Sequence, residues 1–111
     1  LNDVQGVLSN TAGGTPPTQV TGLVASNITS TGYTITWNAS VSPIGNTMSY
    51  YVVYANGIAV GGSLAQPLQA TYFDNITEQH SNTSFSVIVV DYDIFLNLSP
   101  ISSILIVNTL P

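Results

Sequence analysis

The sequence predicts an all-β protein, a sandwich of about seven short antiparallel strands. Three features carry that expectation. From Val20 onward Val, Ile, Thr and Tyr dominate and frequently alternate with polar residues, the pattern of half-buried strands. Turn residues punctuate the chain at intervals of about ten. No window of about eleven residues or more holds a clean helical period, and Pro43, Pro67 and Pro100 each interrupt what a helix would need.

The elements follow in order. Gln19 to Ala25 is the first expected strand, ended by Ser26-Asn27. Gly32 to Asn38 is the second, with Tyr33, Ile35 and Trp37 on one face and Thr34 and Thr36 on the other, because successive side chains alternate. Ser49 to Ala55 is the third. Asn56-Gly57 then marks a tight hairpin turn into a short fourth strand, Ile58 to Val60. Ala70 to Phe73, Ser84 to Tyr92 and Ile101 to Val107 complete the set. Seven such strands are the count of an immunoglobulin-like sandwich.

Composition narrows the function classes. The 111 residues include no Lys, no Arg, no Cys, one His and five acids, for a net charge of −5. Without cations the chain cannot displace counterions from phosphates, which excludes nucleic acid, and it has no polybasic attraction to anionic lipid. Disorder is disfavoured by a 44% hydrophobic share and a mean hydropathy of +0.34. No apolar run approaches the roughly 20 residues of a membrane helix, so no membrane insertion is expected. The chain opens Leu1-Asn2-Asp3, so a secretory signal is expected to have been removed or to lie outside it. The absence of Cys fits the cytosol and the exterior alike.

Asn-x-Ser/Thr sequons occur at Asn27, Asn38, Asn75, Asn82 and Asn97, five of the ten asparagines. Ser and Thr make up 26 of the 111 residues, so chance would place roughly two. The excess predicts N-linked glycans and an extracellular, cell-surface location. A Ser/Thr/Asn-rich surface also generates sequons by accident, and either way the outer face is neutral and hydroxyl-rich.

From Pro16 to Thr109 the chain resembles a fibronectin type III domain. The resemblance is carried by the proline start and Val20-Thr-Gly-Leu23, the strand ending in Trp37, Tyr51-Val-Val53-Tyr-Ala-Asn-Gly57 and the Asp74-Asn-Ile76 approach to the sixth strand. Phe85-Ser-Val87-Ile-Val89 follows, then Asp93 with Asn97, Ser99 and Ser102. Two residues depart from the family pattern. Phe85 stands where the family usually has a Tyr whose hydroxyl ties down the preceding loop, so packing or backbone contacts are expected to hold that corner. Asp91 stands where a small apolar residue is common. The resemblance implies a spacer, an adhesion surface or a ligand platform, and no catalysis.

Chemistry-bearing constellations are sparse. His80 sits in Glu78-Gln79-His80-Ser81-Asn82 with no nucleophile elbow or glycine-built oxyanion site beside it, so it is expected to be an exposed loop residue and no enzyme is expected. Asp91, Asp93 and Asn97 offer oxygens close together but lack the ligand spacing of calcium loops; loop residues are the preferred reading over a cation site, and no cofactor or metal is expected. Tyr50 and Tyr54 point one way and Tyr51 the other, so no three-ring carbohydrate platform is expected from that strand. With no Lys or Arg to pair them, Asp3, Asp74, Glu78, Asp91 and Asp93 predict a stability nearly flat from neutral pH to about pH 3.

The N-terminal region, 1–15, reads as an extension of the sandwich at 16–111. Val4, Val7 and Leu8 form a short apolar group, followed by a Gly13-Gly14 hinge and a stiff Pro16-Pro17. In the last two strands both faces are apolar, with Phe85, Val87 and Val89 backed by Ile88 and Val90, and Ile104 and Ile106 by Leu105 and Val107. A second apolar face or bare edge implies a cover, and the decapeptide of another copy is the candidate. Val4, Val7 and Leu8 are thus expected subunit contacts in a homopolymer built head to tail. The arrangement resembles, at the level of architecture, donor-strand surface filaments such as the threads of archaea. The expected function is therefore a non-enzymatic subunit of a glycosylated surface filament or pilus. The alternative is a fibronectin-type spacer or adhesion module of a larger secreted protein, such as a polysaccharide-degrading enzyme or a phage tail.

Overall fold

The computed structural model describes residues 16–41, 48–65 and 69–111. Residues 1–15, and with them Val4, Val7 and Leu8, lie outside the described residues. Seven strands are present among the described residues: β1 (Thr21–Ser26), β2 (Tyr33–Asn38), β3 (Met48–Ala55), β4 (Ile58–Leu64), β5 (Thr71–Ile76), β6 (Ser84–Asp93) and β7 (Leu105–Asn108). They form a three-stranded sheet in the order β1-β2-β5 and a four-stranded sheet in the order β4-β3-β6-β7, with every strand pair antiparallel.

The inward residues of both sheets interdigitate into one core. Tyr33, Ile35 and Trp37 of β2 and Tyr72 and Ile76 of β5 face Tyr51, Val53 and Ala55 of β3, Phe85, Val87 and Val89 of β6, and Val107. Trp37 and Tyr51 meet at 5.5 Å between ring centroids, and Tyr51 and Tyr72 at 4.8 Å. These tilted contacts suit the quadrupoles of aromatic rings.

The Asn56-Gly57 turn forms as expected, with φ of 50° and 82° at its two residues, the signature of a type I′ hairpin. The fourth strand, however, runs to Leu64 rather than stopping at Val60. Gly61 and Gly62 look like breakers, yet they pair with Val53 and Val52. Their missing side chains are what let the strand continue. A Cβ on Gly62 would collide with the Tyr51 carbonyl, and one on Gly61 would run into the Asp74 carboxylate. The Gly62 N–H donates to Asp74 Oδ2 at 2.9 Å, tying the two sheets together at their edges.

The last strand is shorter than expected, beginning at Leu105 instead of Ile101. The segment before it still follows the edge of β6, but through serine side chains. Ser102 Oγ accepts from the Val89 N–H at 2.9 Å, and Ser99 Oγ accepts from the Asp91 N–H at 2.9 Å. The Ser99 N–H returns a bond to the Asp91 carbonyl at 2.8 Å. Serine hydroxyls thus take the acceptor role that backbone carbonyls hold in a regular ladder.

The outer face of the four-stranded sheet is covered in part by its own residues. Val90 is buried although it points away from the core. Its cross-strand partner is Val52, and the Tyr54 and Tyr92 hydroxyls meet at 3.1 Å diagonally across that pair. Ile104 and Ile106 remain exposed.

The chain enters and leaves the described body at opposite poles. The Thr18 N–H donates to the Val41 carbonyl beyond the end of β2, and at the far end of β1 the Leu110 N–H donates to the Thr29 carbonyl. The whole length of β1 separates Thr18 from Thr29.

Candidate functional site

Strand alternation sends Asn38 and Asn75 to one surface, and a left-handed φ of 50° at Asn27, just past β1, brings a third sequon asparagine over it. On the outer face of the β1-β2-β5 sheet, Thr34 of β2 pairs with Asn75 of β5 and with Ser26 of β1. Asn27 Nδ2 lies 3.5 Å from Thr34 Oγ1, which itself donates to Asn75 Oδ1 at 2.7 Å. Asn38 ends β2 on the same face, exposed, with its amide over Gly22. Between the two ends of the sheet lies a row formed by exposed Val24, half-buried Thr36 and exposed Phe73. Asn82 is exposed at the pole where its N–H donates to the Leu110 carbonyl.

Asn97 is different, and the expectation of a glycan there is corrected. It has 0% of its surface exposed, and its Nδ2 donates to Asp93 Oδ2 at 3.0 Å. The nitrogen that would carry the sugar is spent inside the fold. In the same loop Asp93 Oδ1 accepts from the Phe95 and Asn97 N–H groups at 2.8 and 2.9 Å. The carboxylate serves as the organising acceptor of a tight turn in which Leu96 takes a left-handed φ of 65°.

Asp91 is the unusual acid. It is fully buried, with Oδ2 accepting from Ser40 Oγ at 2.5 Å and Oδ1 left without a partner among the described residues. Burial pushes its carboxyl up to about 6, and the nearby Asp93 adds to that, while the Ser40 hydroxyl and the Tyr92 N–H pull in the other direction. Ser40 also donates its N–H to the Tyr51 hydroxyl at 3.1 Å. Burial raises the Tyr51 phenol to about 12. A neutral-leaning acid, a hydroxyl and a phenol thus pin the end of β2 to β3 and β6.

His80 lies exposed in the loop after β5, where its carbonyl accepts from Thr109 Oγ1 at 2.6 Å. Thr109 also accepts from the Thr83 N–H at 3.0 Å. These bonds secure the corner before β6 that Phe85 cannot tie. Tyr33 supplies a second tie: its ring packs 6.0 Å from Phe85 and its hydroxyl donates to Gln79 Oε1 at 3.3 Å.

A three-tyrosine cluster forms across the sheet rather than along β3. Tyr50 stacks on Tyr92 at 4.8 Å and 6°, and Tyr54 bonds to the same residue. The third ring comes from β6, across the sheet, where strand pairing puts it opposite Tyr50. One ring stack and one hydroxyl pair thus link the three residues, which pack β3 against β6 on the outer face.

One opening among the described residues is a cleft of about 260 Å³ where the two sheets' edge strands β1 and β7 approach, lined by Val20, Thr21, Gly22, Leu23, Ser103, Ile104 and Leu105.

No protein-family model and no curated protein matches the chain. Solved structures do. Domains from titin superpose with a TM-score of 0.68 at 20% identity, covering 86% of this chain and 33% of that one. The sixth fibronectin type III domain of human fibronectin type III domain containing protein 3 superposes with a TM-score of 0.60 at 17% identity, covering 89% and 91%. This chain has a fibronectin type III-like fold. The Clostridium perfringens spore cortex lytic enzyme SleM contains a similar sandwich, with a TM-score of 0.64, 19% identity, and coverage of 85% of this chain and 29% of that one. The fibronectin type III-like chain thus spans about a third of the titin and SleM chains it matches. Fibronectin type III-like domains are generally non-catalytic modules, and some sit within enzymes.

Proposed function

We propose that the chain is a non-enzymatic, extracellular structural module that carries distance in series from one pole of its sandwich to the other. The opposite placement of Thr18 and Leu110 is the observation that supports this most directly. A body that receives the chain at one end and releases it at the other is suited to linear arrays.

The head-to-tail reading makes that array a glycosylated surface filament. Val4, Val7 and Leu8 of one copy would add as a strand to the next, and the apolar cleft between the edge strands β1 and β7 is where an incoming strand meets unpaired backbone from both sheets. Heterologous contacts that do not close produce filaments. The test is negative-stain microscopy of the full chain beside a Val7→Asp/Leu8→Asp variant. Filaments from the first and monomers from the second are expected; identical filaments from both would remove the strand-exchange reading.

The spacer reading has its own support, since similar sandwiches occur as parts of longer chains such as SleM. A monomeric, well-folded full chain would favour it.

A further inference from the structure

The outer face of the β1-β2-β5 sheet carries three sequon asparagines and one large exposed ring. Phe73 has 61% of its surface open to solvent, an unusual exposure for a Phe on a strand. It lies two residues before Asn75 on β5, so both side chains leave the same face, about 7 Å apart along the strand. Asn27 and Asn38 have no aromatic residue two positions before them, where Ala25 and Thr36 stand instead. The amide of Asn75 is also oriented. Thr34 on β2 holds its Oδ1 toward the middle of the sheet, which turns Nδ2 away from β2. Asn75 is itself exposed on β5, the edge strand of its sheet.

We propose that Asn75 carries an N-linked oligosaccharide whose first sugar lies on the exposed face of the Phe73 ring. This rests on reading the chain as an extracellular glycoprotein. A pyranose has one face of C–H groups bearing partial positive charge, and an aromatic face is negative, so the two attract while removing apolar surface from water. The sugar thereby covers the ring that the fold leaves bare, and shields the β5 edge from strand addition. Strand addition is then confined to the other edges, among them β1 and β7.

The experiment uses the full chain secreted by a host that attaches N-glycans, as the unaltered protein and as Thr77→Ala, Phe73→Ala and the double variant. Thr77→Ala removes the sequon and leaves Asn75 and its Thr34 bond in place. Peptide mapping reads occupancy at Asn75, and denaturant unfolding reads stability. Occupancy is expected, with the glycan lowering the unfolding constant about 3- to 10-fold when Phe73 is present and leaving it unchanged in Phe73→Ala. Ring-current shifts of the first sugar's protons should vanish with the ring. An unoccupied Asn75 in the unaltered chain overturns the glycan assignment itself. An occupied Asn75 whose effect on unfolding and whose sugar shifts are the same with and without Phe73 overturns the stacking and leaves the glycoprotein reading standing.

Discussion

Single residues decide how this chain answers to pH. Asp91 has its carboxyl raised from 3.8 to about 6 in the folded state, so between those values the native protein holds a proton that the unfolded chain has released. Stability from this group is fully present below about pH 4 and is lost as pH rises through 6. A shift of that size corresponds to about 3 kcal/mol at most. The flat profile expected from the absence of cations is therefore replaced by a rising one. Melting temperature should increase from pH 7 to pH 4, and Asp91→Asn should flatten the curve by raising the neutral end; a wild-type curve that is flat or falls on acidification contradicts the buried-acid account. Asn97 gives a second residue-scale outcome. Asn97→Ala should cost about 1–3 kcal/mol by stripping a buried donor from Asp93, without changing the glycan mass. Asn82→Ala, on an exposed loop at a left-handed φ of 50°, should cost about 1 kcal/mol and remove its glycan, so intact-mass measurement separates the two.

At the scale of elements, the edge of β6 depends on hydroxyls rather than on a full partner strand. Ser102→Ala or Ser99→Ala leaves the Val89 or Asp91 N–H without its acceptor, at a cost of about 1–3 kcal/mol each in chemical denaturation. Ser86→Ala, on the exposed side of the same strand, serves as the neutral comparison. A glycine in the turn before β4 and one within it offer a sharper contrast. Gly57→Ala, at a left-handed φ with open space around it, should cost about 1 kcal/mol. Gly62→Ala forces backbone against backbone at Tyr51 and should cost several times that, with β4 loosening from β3. Equal effects would mean that the close approach of these strands relaxes freely.

For the whole molecule, the placement of Thr18 and Leu110 at opposite poles sets what assembly is geometrically simple. A chain lacking residues 1–10 is expected to keep its circular dichroism and melting transition, because both sheets and the core are built from Val20 onward. Under the strand-exchange reading it should also lose any tendency to polymerise in sedimentation experiments. Loss of folding on deletion would instead mean that those residues complete their own sandwich.

The all-β class, the inward face of β2 and the Asn56-Gly57 hairpin were legible in the sequence, because alternation and turn chemistry are local properties read within a few residues. So was the fibronectin-like order of strands, which depends on spacing along the chain. What the sequence could not supply is anything decided by which strands lie side by side. The burial of Asp91, the third tyrosine on the outer face and the continuation of β4 through two glycines all depend on partners far away in the chain. The three sequon asparagines gathered around Phe73 show the same limit. Each sequon is local, but their common face exists only because β1, β2 and β5 pair in one register, and pairing register is a long-range property of the folded sheet.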